Sequence, residues 1–253
     1  MSVSNGQLLQ SLNSILMPEK VKDYCPNGLQ VEGKEQVSKL VTGVTASQAL
    51  IDHAVAINAD AILVHHGYFW KGESPCISGM KKKRIQTLLQ HDINLYAYHL
   101  PLDIHPSLGN NAQLAKLLGI VDVSPMQANN PQCVVMQGRF EAGISANELS
   151  RLLTTQLAKT PLHEPANTSM IETVAWCTGG GQGYIELAAE SGIDAYITGE
   201  VSEQTIHTAR EMNIHFYAAG HHATERYGVK ALGEHIQHTL SIETVFVDIP
   251  NPA

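Results

Sequence analysis

The chain states part of its order twice, and this repetition constrains its fold more than any other feature. The stretch "LVTGVTASQALIDHAVAINADAILVHH", from Leu40, aligns without a gap on "VAWCTGGGQGYIELAAESGIDAYITGE", from Val174. Gln48 falls on Gln182, Ala54 on Ala188, Asp60 on Asp194 and Ala61 on Ala195, an offset of 134. Further on, "RIQTLLQHDINLYAYHLP" is echoed by "TIHTAREMNIHFYAAGHH", with Tyr96-Ala97 matching Tyr217-Ala218. Each stretch reads as apolar strand, amphipathic helix, apolar strand. Two such βαβ runs predict two similar α/β domains, each a mixed sheet covered by helices, related by an internal duplication.

Local signals fill in the elements. "QLLQSLNSILM" has helical apolar spacing, and "CPNGLQVEG" turns through Pro26, Asn27 and Gly28 into a short strand. Ser47 is a fitting N-cap for "SQALIDHAVAINA". "MKKKRIQTLLQHD" is a helix whose opening cations oppose the helix dipole. Between the repeats, residues 121–172 carry four prolines and one clear helix, "SANELSRLLTTQL", capped by Ser145 with Glu148 three residues on. The domains are therefore expected at 1–124, completed by 218–253, and at 125–217.

Composition enters as a set of exclusions. A net charge of −8 disfavours nonspecific attraction to nucleic acid or anionic membrane. The 4 cysteines form no C-x-x-C pair and read as reduced thiols, and the N-terminus lacks a signal-peptide pattern, so a cytoplasmic location is expected. No apolar run approaches the roughly 20 residues that span a bilayer.

The 13 histidines matter by position. Histidines or acids gather at predicted element ends in four places: His65-His66, "HLPLD" (His99, Asp103), "TGE" (Glu200) and "GHHATE" (His221, His222, Glu225). In α/β sheets, sites collect beyond the carboxyl ends of strands, so residues distant in sequence can meet there. Imidazole with carboxylate suits divalent zinc, iron, manganese or nickel. Adjacent residues on a strand face opposite ways, so His65 and His66 suit two neighbouring ions better than one. His221 and Glu225, four apart, share a face if a helix has begun there. "CTGGGQGY" matches neither phosphate-loop pattern and reads as a tight turn. Tyr68, Phe69 and Trp70 read as walls of a site or of a subunit contact rather than a base-stacking platform. No nucleophile motif surrounds Ser47, Ser202 or the cysteines.

The segments "PNGLQVEG", "ADAILVHHGYFWKG", "LYAYHLPLDIHPSLGNN", "DAYITGEVSEQTIH" and "YAAGHHATER" closely resemble the YbgI-type members of the NIF-three-like family, often labelled GTP cyclohydrolase 1 type 2 homologs. The resemblance runs from about residue 20 to the C-terminal "DIPNPA". It implies two divalent metal ions per subunit, held by His65, His66, Asp103, His221 and Glu225, with Glu225 as the bridge. His99 looks like a further or outer ligand. The resemblance also implies a toroidal homohexamer with inward-facing metals.

The reading that follows is a metal-dependent hydrolase acting on a nucleotide-like or other small polar substrate, with His99 or Glu200 relaying the proton. Two rivals stand beside it. One is a diiron protein doing redox or oxygen chemistry. The other is a non-enzymatic toroid that binds a partner or nucleic acid, against which the acidic balance argues. No residue supports the cyclohydrolase label or names the substrate.

Overall fold

A computed structural model describes residues 1–253. The chain runs through β1 (Val3–Ser4), α1 (Asn5–Leu16), β2 (Gly28–Val31), β3 (Gln36–Val37), β4 (Lys39–Thr45), α2 (Gln48–Ala56), β5 (Ala61–His66), α3 (Gly79–Gln90), β6 (Asn94–Ala97) and α4 (Leu100–Asp103). It continues with α5 (Asn110–Leu118), β7 (Val121–Pro125), β8 (Met136–Ser145), α6 (Ala146–Leu157), β9 (Leu162–Glu164) and β10 (Met170–Cys177). Then come α7 (Ile185–Glu190), β11 (Ala195–Thr198), α8 (Glu203–Glu211), β12 (His215–Ala218), α9 (His221–Leu240) and β13 (Glu243–Phe246). No helix is long and apolar enough to cross a membrane.

Two compact units result: Met1–Gly109 with Gly228–Pro250, and Asn110–Tyr227 with Asn251–Ala253. These boundaries differ from the expected 124/125 and 217/218 for a packing reason. Leu114, Ala115 and Leu118 of α5 share a core with Phe140 and Trp176, and so do Ala219 and Ala223. β7 also pairs with β8, so 110–124 and 218–227 go with the second unit.

The first unit's sheet has the order β13-β4-β5-β6-β2, parallel except for the antiparallel edge strand β2. Along β5, Ala61 and Leu63 face a core built with α1 and the Val229–Ile236 stretch of α9. Ile62 and Val64 face Leu50, Ile51, Ile85 and Leu88 of α2 and α3. A strand buried on both faces reads as the continuous apolar run "AILV", the pattern of parallel sheets covered on both sides. The second unit's sheet has the order β7-β8-β10-β11-β12-β9 and is likewise covered twice. Leu149, Leu153 and Leu157 of α6 pack on the side of Trp176 and Ile197. Ile185, Ala188 and Ala209 of α7 and α8 pack on the side of Tyr196 and Phe216.

The duplication is written in individual hydrogen bonds. Asp60 Oδ2 accepts from the amides of Ser38 (2.9 Å) and Lys39 (3.1 Å), and Asp194 Oδ2 accepts from those of Glu172 (3.0 Å) and Thr173 (2.8 Å). All four donors obey the offset of 134. The carbonyls of the same aspartates accept from Asn94 and His215, which open β6 and β12. The left-handed residues Asn58 (φ 54°) and Gly192 (φ 74°) end the equivalent helices, as do Asp92 (φ 55°) and Asn213 (φ 54°).

The repeat also reaches further back than the sequence pattern disclosed. Gly28 pairs with Ala97 and Leu162 with Ala218, so β2 and β9 are equivalent edge strands. Helices α1 and α6 each have 12 residues and a serine capping box, Ser4 with Gln7 and Ser145 with Glu148. Each buries three leucines four apart and ends in a left-handed residue, Met17 or Ala158. The hydroxyls of Tyr96 and Tyr217 donate to the carbonyls of Asn5 and Ala146, their first residues.

Candidate metal centre

Within the first unit, four side chains meet at the carboxyl ends of β5 and β6. His65 and His66 close β5. Their rings, expected on opposite faces, lie 4.5 Å apart between centroids at 45°. His99 caps the four-residue helix α4, with φ −95° and ψ −105°. Pro101 sits in the first turn of that helix, where its missing N–H costs nothing. The His99 carbonyl accepts from Asp103 N, and Asp103 Oδ1 lies 3.5 Å from His65 Nε2. One ring nitrogen each of His65, His66 and His99 falls within 4.8 Å of the others. His99 is therefore within reach of His65 and His66.

Each of these imidazoles is held by its Nδ1. His65 Nδ1 donates to the Tyr98 carbonyl at 3.0 Å. His66 Nδ1 pairs with Thr45 Oγ1 at 3.2 Å. His99 Nδ1 donates to Asp23 Oδ1 at 2.8 Å. A ring anchored through Nδ1 presents Nε2, and such an outer partner fixes both the tautomer and the orientation of a metal-binding histidine.

The second unit repeats this device. His221 begins α9, and its Nδ1 donates to Glu200 Oε1 at 2.7 Å, while its Nε2 lies 3.1 Å from Glu225 Oε2, one turn along. The Glu225 hydrogen bond outweighs burial and, with Glu200, pushes the His221 pKa up to about 9. Gly179, at φ 66°, lets the Glu225 carboxylate lie against the backbone; a Cβ there would collide with Glu225 Oε1. The "GGGQ" segment is thus the tight turn expected, with a purpose: it makes room for a carboxylate. Glu200, expected to relay protons, is the anchor of His221 and is itself held by Gln182 Nε2 at 3.3 Å.

The donor chemistry fits a divalent ion: oriented neutral nitrogens in one unit, an imidazole between two carboxylates in the other. Sequence reasoning missed Asp23, Thr45 and Asn27. Thr45 could have been found, since it ends the strand beside "LVHH". Asp23 could not, because its link to His99 spans 76 positions. Of the aromatics, Tyr68 is buried with its hydroxyl on the Ala46 carbonyl, and Trp70 stands edge-on to His99, 4.9 Å between centroids. Lys81 pairs with Glu73, which accounts for one of the cations opening α3.

The family model for Duf34/NIF3 (NGG1p interacting factor 3) matches residues 3–252. The chain belongs to the DUF34/NIF3 family. The Vibrio cholerae "GTP cyclohydrolase 1 type 2 homolog" is 57% identical over 252 residues, 99% of this chain and 100% of that protein. The Escherichia coli K12 protein of the same name is 55% identical over 252 residues, again 99% and 100%. Among solved structures, protein ybgI, described as of unknown function, superposes with a TM-score of 0.95 at 55% identity, covering 99% of this chain and 100% of its own. TTHA1606 from Thermus thermophilus gives 0.90 at 33%, with the same coverage. Reduced HcgD from Methanocaldococcus jannaschii, at 23% identity and 0.86 over 98% of this chain and 99% of its own, shares the fold.

Proposed function

We propose that this family member is a dinuclear metal protein and a metal-dependent hydrolase of a small polar, nucleotide-like substrate. His65, His66 and Asp103 from the first unit and His221 and Glu225 from the second are the ligands of two divalent ions, with Glu225 the bridge. The observation that carries the reading is the anchoring of the imidazoles: four rings in two units, each tied through Nδ1, with Nε2 of His65 and of His221 turned towards the carboxylates of Asp103 and Glu225. An outer partner of this kind orients the ring of a metal-binding histidine.

Two bound cations would lower the pKa of a coordinated water and polarise the electrophile. The protein's own residues supply the rest. Glu200 and Asp23 orient His221 and His99. Buried Asp103 and Glu225 bring negative charge to an otherwise neutral donor set. His99, less enclosed than His65, is the group placed to pass a proton at its Nε2.

Metal content tests the reading. Wild-type protein loaded with zinc and desalted should carry two ions per chain by elemental analysis, and Glu225→Ala should lose most of both. Two ions retained in that variant would remove Glu225 from the centre. A homohexamer is the assembly proposed with it, so light scattering should give about six times the 27.5 kDa chain mass. A stable monomer at micromolar concentration would refute that part alone.

A further inference from the structure

The two units fasten the chain after their edge strands with equivalent bonds but with different side chains. Asn94 opens β6 and His215 opens β12, each paired with the first residue of the neighbouring parallel strand, Ala61 or Ala195. Both side chains are buried. In the first unit, Asn94 Oδ1 accepts from Gly33 N at 2.8 Å and Nδ2 donates to the Lys34 carbonyl at 2.9 Å. In the second, His215 Nδ1 accepts from Ala166 N at 3.2 Å and Nε2 donates to the Thr168 carbonyl at 3.0 Å. A carboxamide thus holds the segment after β2, and an imidazole holds the segment after β9. The carboxamide has no titratable proton, whereas an imidazole changes charge near neutral pH.

The bonds of His215 require its neutral form. A backbone N–H donates to Nδ1 and a carbonyl accepts from Nε2, so the ring carries one proton, on Nε2. A second imidazole uses the same lone pair. His163 of β9 stands where the first unit has Leu29, since His163 pairs with Tyr217 and Leu29 with Tyr96. Its Nε2 donates to His215 Nδ1 at 3.2 Å, and its ring lies flat against Tyr217, 4.3 Å between centroids at 2°. A proton added at His215 Nδ1 therefore meets two N–H groups, and both lose their acceptor. The charged groups on the surrounding elements are engaged elsewhere. Glu164 of β9 acts on His163, but Arg210 of α8 holds its two oxygens at 2.9 and 3.0 Å. The Asp194 carboxylate, before β11, takes the Thr173 amide. On α6, Glu148 closes its own cap and Arg151 donates to the Asn147 carbonyl. The Tyr217 hydroxyl donates to the Ala146 carbonyl. Burial, with the charge of a protonated His215, holds the His163 imidazole below its usual range against the pull of Glu164.

We propose that His163 and His215 form an acid-sensitive latch: protonating the pair releases residues 162–168 from β12 and opens one wall of the cavity beside Glu200. That cavity, of about 430 Å³, is lined by Lys159, Thr160 and Leu162 on one side and by Gly199, Glu200 and Gly220 on the other. Strand β9, which carries Leu162, has three residues and pairs with β12 alone, so few ladder bonds hold it once the latch is lost. The direction follows from His163. A histidine lowered in the folded state contributes stability that is present above its ordinary value near 6.5 and lost as pH falls below it. The equivalent segment of the first unit, held by Asn94 and with Leu29 in place of His163, lacks this dependence. The latch uses none of the proposed metal ligands and stands or falls apart from them.

Hydrogen–deuterium exchange of the full chain at about pH 7.5 and 5.5, corrected for the intrinsic effect of pH on exchange, tests the latch. One pH unit below the ordinary histidine value, each ring that takes up a proton only on release favours the open form by up to about 10-fold. Protection over residues 162–168 should therefore fall by roughly 10-fold or more, while protection over 28–34 changes by less than about twofold. His215→Asn, which gives the second unit the side chain of the first, should remove the excess loss. His163→Leu, which copies Leu29, leaves one titrating ring and should show a smaller loss than wild type. Circular dichroism checks the fold of each variant. A wild-type loss over 162–168 no larger than that over 28–34 would overturn the latch. So would a loss undiminished in His163→Leu, the variant that decides the matter if His215→Asn does not fold.

Discussion

Asp60 and Asp194 do the same work 134 positions apart, each collecting amides from the strand before it. Burial raises the Asp60 pKa, but the Lys34 ammonium, the Ser38 hydroxyl and the amides of Ser38 and Lys39 outweigh it and hold the group at about 2. A carboxylate lowered in the folded state contributes stability that is present above its unfolded value near 3.8 and lost as pH falls towards 2. Asp60→Asn should therefore cost about 2 kcal/mol at pH 7, and the gap between variant and wild type should close between about pH 4 and 2. Urea unfolding at a series of pH values measures this; a gap that persists at pH 2 would contradict it. At this scale the sequence was informative about donors and poor about what orients them. His65-His66 announced itself as a doublet at a strand end, and His221 with Glu225 by helical spacing. Asp23 and Glu200 act through ring orientation, which depends on loops meeting in space and leaves no periodic trace.

The elements divide by how they are buried. Strands β4, β5, β10 and β11 were legible because burial on both faces makes them near-continuous apolar runs. Strand β8 was not read as a strand, because only Phe140 of its ten residues is buried and no apolar alternation marks it. Helices α1 and α6 show what local chemistry adds. Ser145 Oγ accepts from Glu148 N at 3.3 Å, and Glu148 Oε2 accepts from Ser145 N at 2.8 Å. Ser145→Ala removes the hydroxyl that accepts from Glu148 N, while the backbone bond to Glu148 Oε2 remains, and should lower stability by about 1 kcal/mol, with no change in bound metal. Denaturant unfolding together with elemental analysis checks both parts, and loss of metal in this variant would tie α6 to the centre in a way the fold does not. The equivalence of α1 with α6 escaped the sequence comparison because the offset falls from 141 (Leu16 to Leu157) to 134 (Gly28 to Leu162) between α1 and β2, a shift of seven. Gapless alignment cannot cross such a shift.

At the scale of the molecule, metal ties stability to composition of the buffer. A ligand that binds only the folded chain stabilises it by about 2.7 kcal/mol at a hundredfold excess over its dissociation constant. Chelator-stripped protein should thus melt several degrees lower than zinc-loaded protein, and Glu225→Ala should show a much smaller difference. Equal melting temperatures with and without metal would argue that the donors are not coordinated in the folded state. The order of the chain through its units has a different outcome, in time rather than energy. Strand β13 pairs with β4, yet about 145 residues separate it from β6, the previous strand of the same sheet. At ribosomal speeds of roughly 5–20 residues per second, β4 waits on the order of 7–30 s for its neighbour. Throughout that interval the nascent first sheet shows an unpaired edge, while the second unit is made and can close its own sheet. The half of the protein synthesised first is therefore the half that finishes last, and its open edge is where a chaperone would be needed during translation.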